Sequence, residues 1–130
     1  MVPGADLFVK RLKKHGIPFL FLTNNSQRAR RDIAMKLQRM GIDVESENVF
    51  TCAMATARFL SQQRENATAF VIGENGLTSA MHHNGITVVD DDPHYVVVGE
   101  GRTLNFEMVE KAVRLVEKGA RLVADRKSVV

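Results

Sequence analysis

Phe19-Leu20-Phe21-Leu22-Thr23-Asn24-Asn25-Ser26 sets an apolar run directly against four small polar residues. From Ile17 to Leu22 no side chain is polar, the pattern of a strand buried on both faces in a parallel sheet covered by helices. Pro18 is tolerated at the first positions of such a strand, where a missing N–H costs no ladder bond. Asn24-Asn25-Ser26 is a turn cluster, and Ser26 is placed to cap the helix that follows. Open α/β sheets bind ligands at the carboxyl ends of their strands. A hydroxyl, two amides and the first free N–H groups of a helix suit an anion there, most simply a phosphate. The same residues serve equally well as an Asn-rich turn and N-cap without a ligand, and the local sequence leaves both readings open.

Working outward, short apolar runs alternate with amphipathic stretches. Before the run, Pro3-Gly4-Ala5 opens a helix carrying Leu7, Phe8 and Leu12, which His15-Gly16 ends. After it, a helix over 27–40 places Ile33, Leu37 and Met40 on one stripe, ended by Gly41. Val49-Phe50-Thr51 reads as a strand, and 53–62 as a helix with Ala53, Ala57 and Leu60 inward. Polar Arg64-Glu65-Asn66-Ala67 marks a boundary between two parts. Beyond it the rhythm restarts, with strands at 69–72, 86–89, 95–98 and 122–124 and helices at 77–83 and 105–117. Alternation at these lengths predicts an α/β fold with a mainly parallel sheet. Asp125 to Val130 continue no pattern and are expected to be a non-native tail.

Composition excludes several classes. The chain of 130 residues is 45% hydrophobic and 25% charged, ordinary for a globular domain and unlike fibrous or disordered sequences. A net charge of +3 does not demand a nucleic acid or a membrane surface. No apolar run approaches the ~18 residues of a membrane span. The single Cys52 forms no internal disulfide, and with no secretory leader in view a cytoplasmic location is expected.

Other residues that do chemistry elsewhere read here as structure. Arg28, Arg30 and Arg31 either steer an anion toward the Thr-Asn-Asn loop or form a solvated helix face. Gly99-Glu100-Gly101-Arg102-Thr103-Leu104 imitates a dinucleotide fingerprint, but Leu104 stands where the third Gly belongs. Gly73-Glu74-Asn75-Gly76 is a strand-to-helix turn. Adjacent His82-His83 point in different directions and do not form the i, i+4 pair of a zinc site. Cys52 reads as an inert thiol, and Asp90-Asp91-Asp92 as a solvated loop.

Taken in order, Val2-Pro3-Gly4-Ala5, the Phe19–Ser26 stretch, Thr51-Cys52-Ala53-Met54-Ala55-Thr56-Ala57, Val71-Ile72-Gly73-Glu74 and Tyr95-Val96-Val97-Val98-Gly99-Glu100 resemble the haloacid-dehalogenase-like phosphatases. The likeness is to subfamily IIA, the NagD-type branch with a C2 cap, and spans residues 2–124. It implies an incomplete Rossmann-like core over 1–65, including the second, Thr-Asn-Asn, motif, followed by part of an α/β C2 cap over 66–124. It also implies Mg²⁺-dependent hydrolysis of phosphate monoesters of small metabolites, such as sugar phosphates or nucleotides, through an aspartyl-phosphate.

Residue by residue, the resemblance assigns Thr23, Asn24 and Asn25 to the substrate phosphoryl group. The nucleophile and acid/base Asp of a D-x-D-G loop are expected before Met1, and a Lys and an Asp pair beyond residue 124, so no catalytic residue and no metal ligand is expected in this chain. The chain is accordingly expected to be an inactive fragment. The cap selects the leaving group, with Arg102 as the expected specificity residue, and it leaves room for a homo-oligomer. The alternative is a small non-catalytic α/β module that holds a phosphorylated ligand or a partner.

Overall fold

A computed structural model describes residues 1–125. Two parallel sheets organise them. The first joins β1 (Phe21–Thr23) to β2 (Val49–Thr51), with Phe21 beside Val49 and Thr23 beside Thr51. Its helices are α1 (Ala5–Lys14) and α2 (Arg30–Arg39), with one 3-10 turn at Ser46–Asn48 leading into β2. Val9, Ala34, Ile42, Val44 and Val49 form its buried cluster, against which Phe19, Phe21, Ile33 and Leu37 pack. Phe19 and Phe21 meet edge to face at 6.1 Å, a favourable aromatic geometry.

The second sheet has the order β4-β3-β5-β6, all parallel, from β3 (Thr68–Ile72), β4 (Thr87–Val88), β5 (Tyr95–Val98) and β6 (Arg121–Ala124). Its helices are α3 (Cys52–Gln63), α4 (Asn75–His83) and α5 (Phe106–Glu117). Alternate strand residues serve opposite faces. Ala69, Tyr95 and Val97 pack with Ala53, Ala57 and Leu60 of α3 and Leu77, Ala80 and Met81 of α4. Phe70, Ile72 and Val96 pack with Ala112 and Leu115 of α5. The α3 helix precedes the 64–67 boundary, yet its buried face belongs to this second core.

The α/β alternation and the parallel pairing agree with the sequence reading, and three local expectations are corrected. The strand at 17–23 is not buried on both faces. Leu20 is 60% and Leu22 75% exposed, because β1 has one strand neighbour among the described residues and its helices cover only the Phe19/Phe21 face. Next, α2 starts at Arg30 with Ala29 as its N-cap, rather than at Gln27, and Ser26 caps nothing. The Asn25 carboxamide oxygen accepts the N–H groups of Gln27 (2.9 Å) and Arg28 (3.3 Å), an Asx turn that holds the chain out of helix for three residues. Finally, Met40 lies past the helix end and is exposed, so the inward stripe of α2 is Ile33, Ala34 and Leu37.

Asp125, the first residue of the expected tail, extends the β5–β6 ladder, its N–H donating to the Val98 carbonyl at 3.1 Å. Residues 126–130 of that tail lie outside the described residues.

Candidate functional site

Parallel pairing in register ends β1 and β2 at the same level, so that Thr23-Asn24-Asn25 and Thr51-Cys52 emerge side by side. Thr23 is half-buried at the carboxyl end of β1, and its Oγ1 accepts the Asn25 N–H at 3.1 Å. That bond engages the Asn25 amide, which the resemblance would have given to the phosphate, and leaves the Thr23 hydroxyl hydrogen as a donor. Thr23 lies between two hollows. One, of about 510 Å³, is lined among others by Thr23, Asn25, Gln27, Arg28 and Lys36. The other, of about 300 Å³, is lined by Leu22, Thr23, Asn24, Phe50, Thr51, Cys52 and Ala55. Arg28 and Lys36 thus place two cations in the same hollow as the Thr23 hydroxyl, so Arg28 has company the sequence did not show. Arg30 and Arg31 line a separate apolar hollow with Thr51, Met54, Gly76 and Ala80.

Cys52 has a role that sequence reasoning missed. Its thiol donates to the Asn24 carbonyl, Sγ to O 2.9 Å, fixing the back of the loop. A thiol at a helix N-terminus is ordinarily acidified. Here burial, and after it the Asp125 carboxylate, push Cys52 up, against the opposing effects of the Ser26 hydroxyl and the N–H groups of Ala53 and Cys52 itself. A thiol kept protonated is what a donor to a carbonyl requires. The signal was present in the sequence: Cys52 follows Thr51, and once β1 and β2 are paired it must stand beside Asn24. The Ser26 hydroxyl lies fully buried near this thiol.

Arg102 is exposed on the loop after β5 and does not line either hollow around Thr23. Its N–H donates to Glu74 Oε1 at 2.9 Å, and the Thr103 hydroxyl donates to the Gly73 carbonyl at 3.2 Å. Of the remaining candidates, His94 latches β5 to β3, its Nδ1 accepting the Thr68 N–H at 3.0 Å. Asp90 pairs with Lys111 at the surface. Among the described residues no group of three or more His, Cys, Asp or Glu side chains is placed to hold a metal ion.

A polar loop at the carboxyl end of a parallel strand pair, with a second parallel α/β unit following it, defines an α/β protein of the class that binds ligands at its strand ends. Comparison with known proteins makes this specific: residues 1–87 match the haloacid dehalogenase-like hydrolase family, and the chain belongs to it. It is 43% identical over 123 residues to a dihydroxyacetone phosphatase of Corynebacterium glutamicum, a match covering 95% of this chain and 45% of that protein. It is 39% identical over 123 residues to the ribonucleotide monophosphatase NagD of Escherichia coli, covering 95% of this chain and 49% of NagD. Among solved structures, a double-mutant thermostable NPPase from Geobacillus stearothermophilus superposes with a TM-score of 0.92 at 35% identity, covering 99% of this chain and 52% of that one. The chain spans about half the length of the relatives it matches.

Proposed function

We propose that residues 1–124 supply the phosphate-gripping and leaving-group-facing parts of a phosphate-monoester hydrolase of the NagD type. Residues 1–65 would be part of its core and 66–124 part of its C2 cap. The observation that carries this reading is the Thr23 hydroxyl at the end of a parallel pair, opening into a hollow that Arg28 and Lys36 also line. In this reading Thr23 donates its proton to a phosphoryl oxygen, and the two cations offset phosphate charge. The Asn24 carbonyl, held by Cys52, keeps the loop from moving when the anion arrives. Relatives named for dihydroxyacetone phosphate and for ribonucleotides share the phosphate and differ in what it is attached to. That supports a small phosphorylated metabolite, a sugar phosphate or a nucleotide, whose leaving group meets the loop carrying Arg102.

The family implies Mg²⁺ and an aspartyl-phosphate, but the described residues do not fit a metal ion, because no acidic cluster converges beside Thr23. In this proposal the chain's share is binding and orientation, and by itself it is expected to turn nothing over. No helix among the described residues is long and apolar enough to cross a membrane; a cytoplasmic location is part of the same proposal. A homo-oligomer through the cap belongs to the same proposal, supported by the exposed Phe106, Val109 and Val113 along α5.

The test is a titration of the 130-residue chain with inorganic phosphate, followed by backbone amide shifts. Shifts at 23–28 that vanish in Thr23→Ala are expected, and their absence in the native chain would overturn the binding role. With p-nitrophenyl phosphate and Mg²⁺ no hydrolysis is expected. Turnover that Thr23→Ala abolishes would overturn the division of labour. Sedimentation velocity reads the oligomer, which Phe106→Glu should dissociate.

A further inference from the structure

Gly73-Glu74-Asn75-Gly76 reads in sequence as nothing more than a turn between β3 and α4. In the fold it touches both candidate loops at once. On one side the Gly76 N–H donates to the Gln27 carbonyl at 3.0 Å. A Cβ at Gly76 would stand 2.4 Å from the Ser26 carbonyl oxygen and 2.6 Å from that of Arg28. Only glycine permits that backbone-to-backbone seat. On the other side, Glu74 occupies the N-cap position of α4 but makes no side-chain cap to its own helix. Its carboxylate reaches across instead to the Arg102 N–H, and its stem lies where a Gly101 side chain would be, a Cβ there falling 2.7 Å from Glu74 Cγ. The Gly73 carbonyl takes the Thr103 hydroxyl as well. Beneath, fully buried Leu77 fills the space under Gly73 and Gly99, whose added Cβ atoms would stand 2.8 and 2.6 Å from its Cδ2.

The Glu74 side chain stands at the start of α4 and leaves the first N–H groups of its own helix without a side-chain cap. Its contact is to a loop 28 residues away in sequence. We propose that Glu74 and Gly76 are positioning residues for the phosphate-monoester site: one four-residue turn seats the Thr23–Arg28 loop on its Gly76 side and the Arg102 loop on its Glu74 side. The spacing between phosphate and leaving-group contacts is thereby set by the turn. This rests on the phosphatase reading for its purpose, but the clamp itself is a property of the chain.

The experiment uses the 130-residue chain with inorganic phosphate as the probe. Trypsin cleavage after Arg102 reports how firmly the loop is held. Glu74→Ala should speed it roughly fivefold, while Glu74→Gln, which keeps an acceptor oxygen, should change it less than about twofold. Phosphate should shift the Arg102 amide along with those of 23–28 in the native chain and in Glu74→Gln. In Glu74→Ala the 23–28 shifts should remain and the Arg102 shift should go. Gly76→Ala should disturb the 23–28 amides before any ligand is added; circular dichroism identifies a variant that has failed to fold, and the Glu74 pair then carries the test. Unchanged cleavage in Glu74→Ala, or an Arg102 shift that survives it, overturns the proposal. If phosphate shifts no amide of 23–28, the binding reading fails, and the cleavage rates alone then decide the clamp.

Discussion

Leu22 and Leu77 are the same residue in two regions of one chain, and they live in different surroundings. Leu22, in the middle of β1, is 75% exposed, whereas Leu77 on α4 is fully buried. The four-stranded unit covers both faces of its sheet with its own helices, α3 and α4 on one side and α5 on the other. The β1–β2 pair is covered on one face only. Apolar content is comparable in the two regions, so what separates them is how many layers each can assemble from residues 1–125. The candidate phosphate loop is thus borne by the less covered strand, and it gains rigidity through Cys52 and Gly76, which belong to the helices of the better-covered unit.

The comparison can be broken in several places. Leu77→Ala should cost about 2–5 kcal/mol in urea denaturation, since it opens a cavity under two turns. A cost under ~1 kcal/mol would mean that the second core is looser than its burial indicates. Native-state hydrogen exchange should protect the amides of β5 at least about a hundredfold more than those of β1, and equal protection would erase the asymmetry. Thr51→Ala should cost about 1 kcal/mol, because the Thr51 hydroxyl accepts the Met54 N–H at 3.1 Å as the cap of α3. Leu22→Ala, by contrast, should fall within about 0.5 kcal/mol of the native chain.

The smallest effect sharpens the junction itself. Because the Cys52 pKa is raised on folding, the folded thiol keeps its proton where the unfolded thiol has lost it. The stability this group contributes is fully present below the ordinary thiol range and falls as pH rises through the raised folded value. Thiol-labelling rates against pH should show a midpoint above that of a free thiol. Asp125→Asn should move it downward, because the Asp125 carboxylate is second to burial among the causes.

Much of this was legible in the residues. The continuous apolar run, Gly punctuation and helical stripes located each strand and helix, because period and turn chemistry are local properties. The Thr-Asn-Asn loop was legible as a polar turn at the carboxyl end of β1 for the same reason. The two-faced burial expected for Ile17–Thr23 was not met, because hydrophobic runs record what a strand is able to bury and not which neighbours the described chain provides. Ser26 was misread as a cap because an Asx turn at Asn25 competes for the same N–H groups. The contacts of Glu74 and Gly76 were invisible for a different reason, and that of Cys52 follows only once β1 and β2 are paired. Each joins residues at least 28 apart or depends on a missing Cβ, and no local pattern encodes that distance.

The α3 helix begins at Cys52, which grips the Asn24 carbonyl, and carries Leu60 into the second core. It is 12 residues long, about 18 Å. Inserting a single residue between those two points would rotate one against the other by about 100°. Either the grip or the core contact would then be lost. Among proteins descended from the same ancestor, gaps should therefore gather at 64–67 and 90–93, while the count of residues from 52 to 60 stays fixed even where their identities drift.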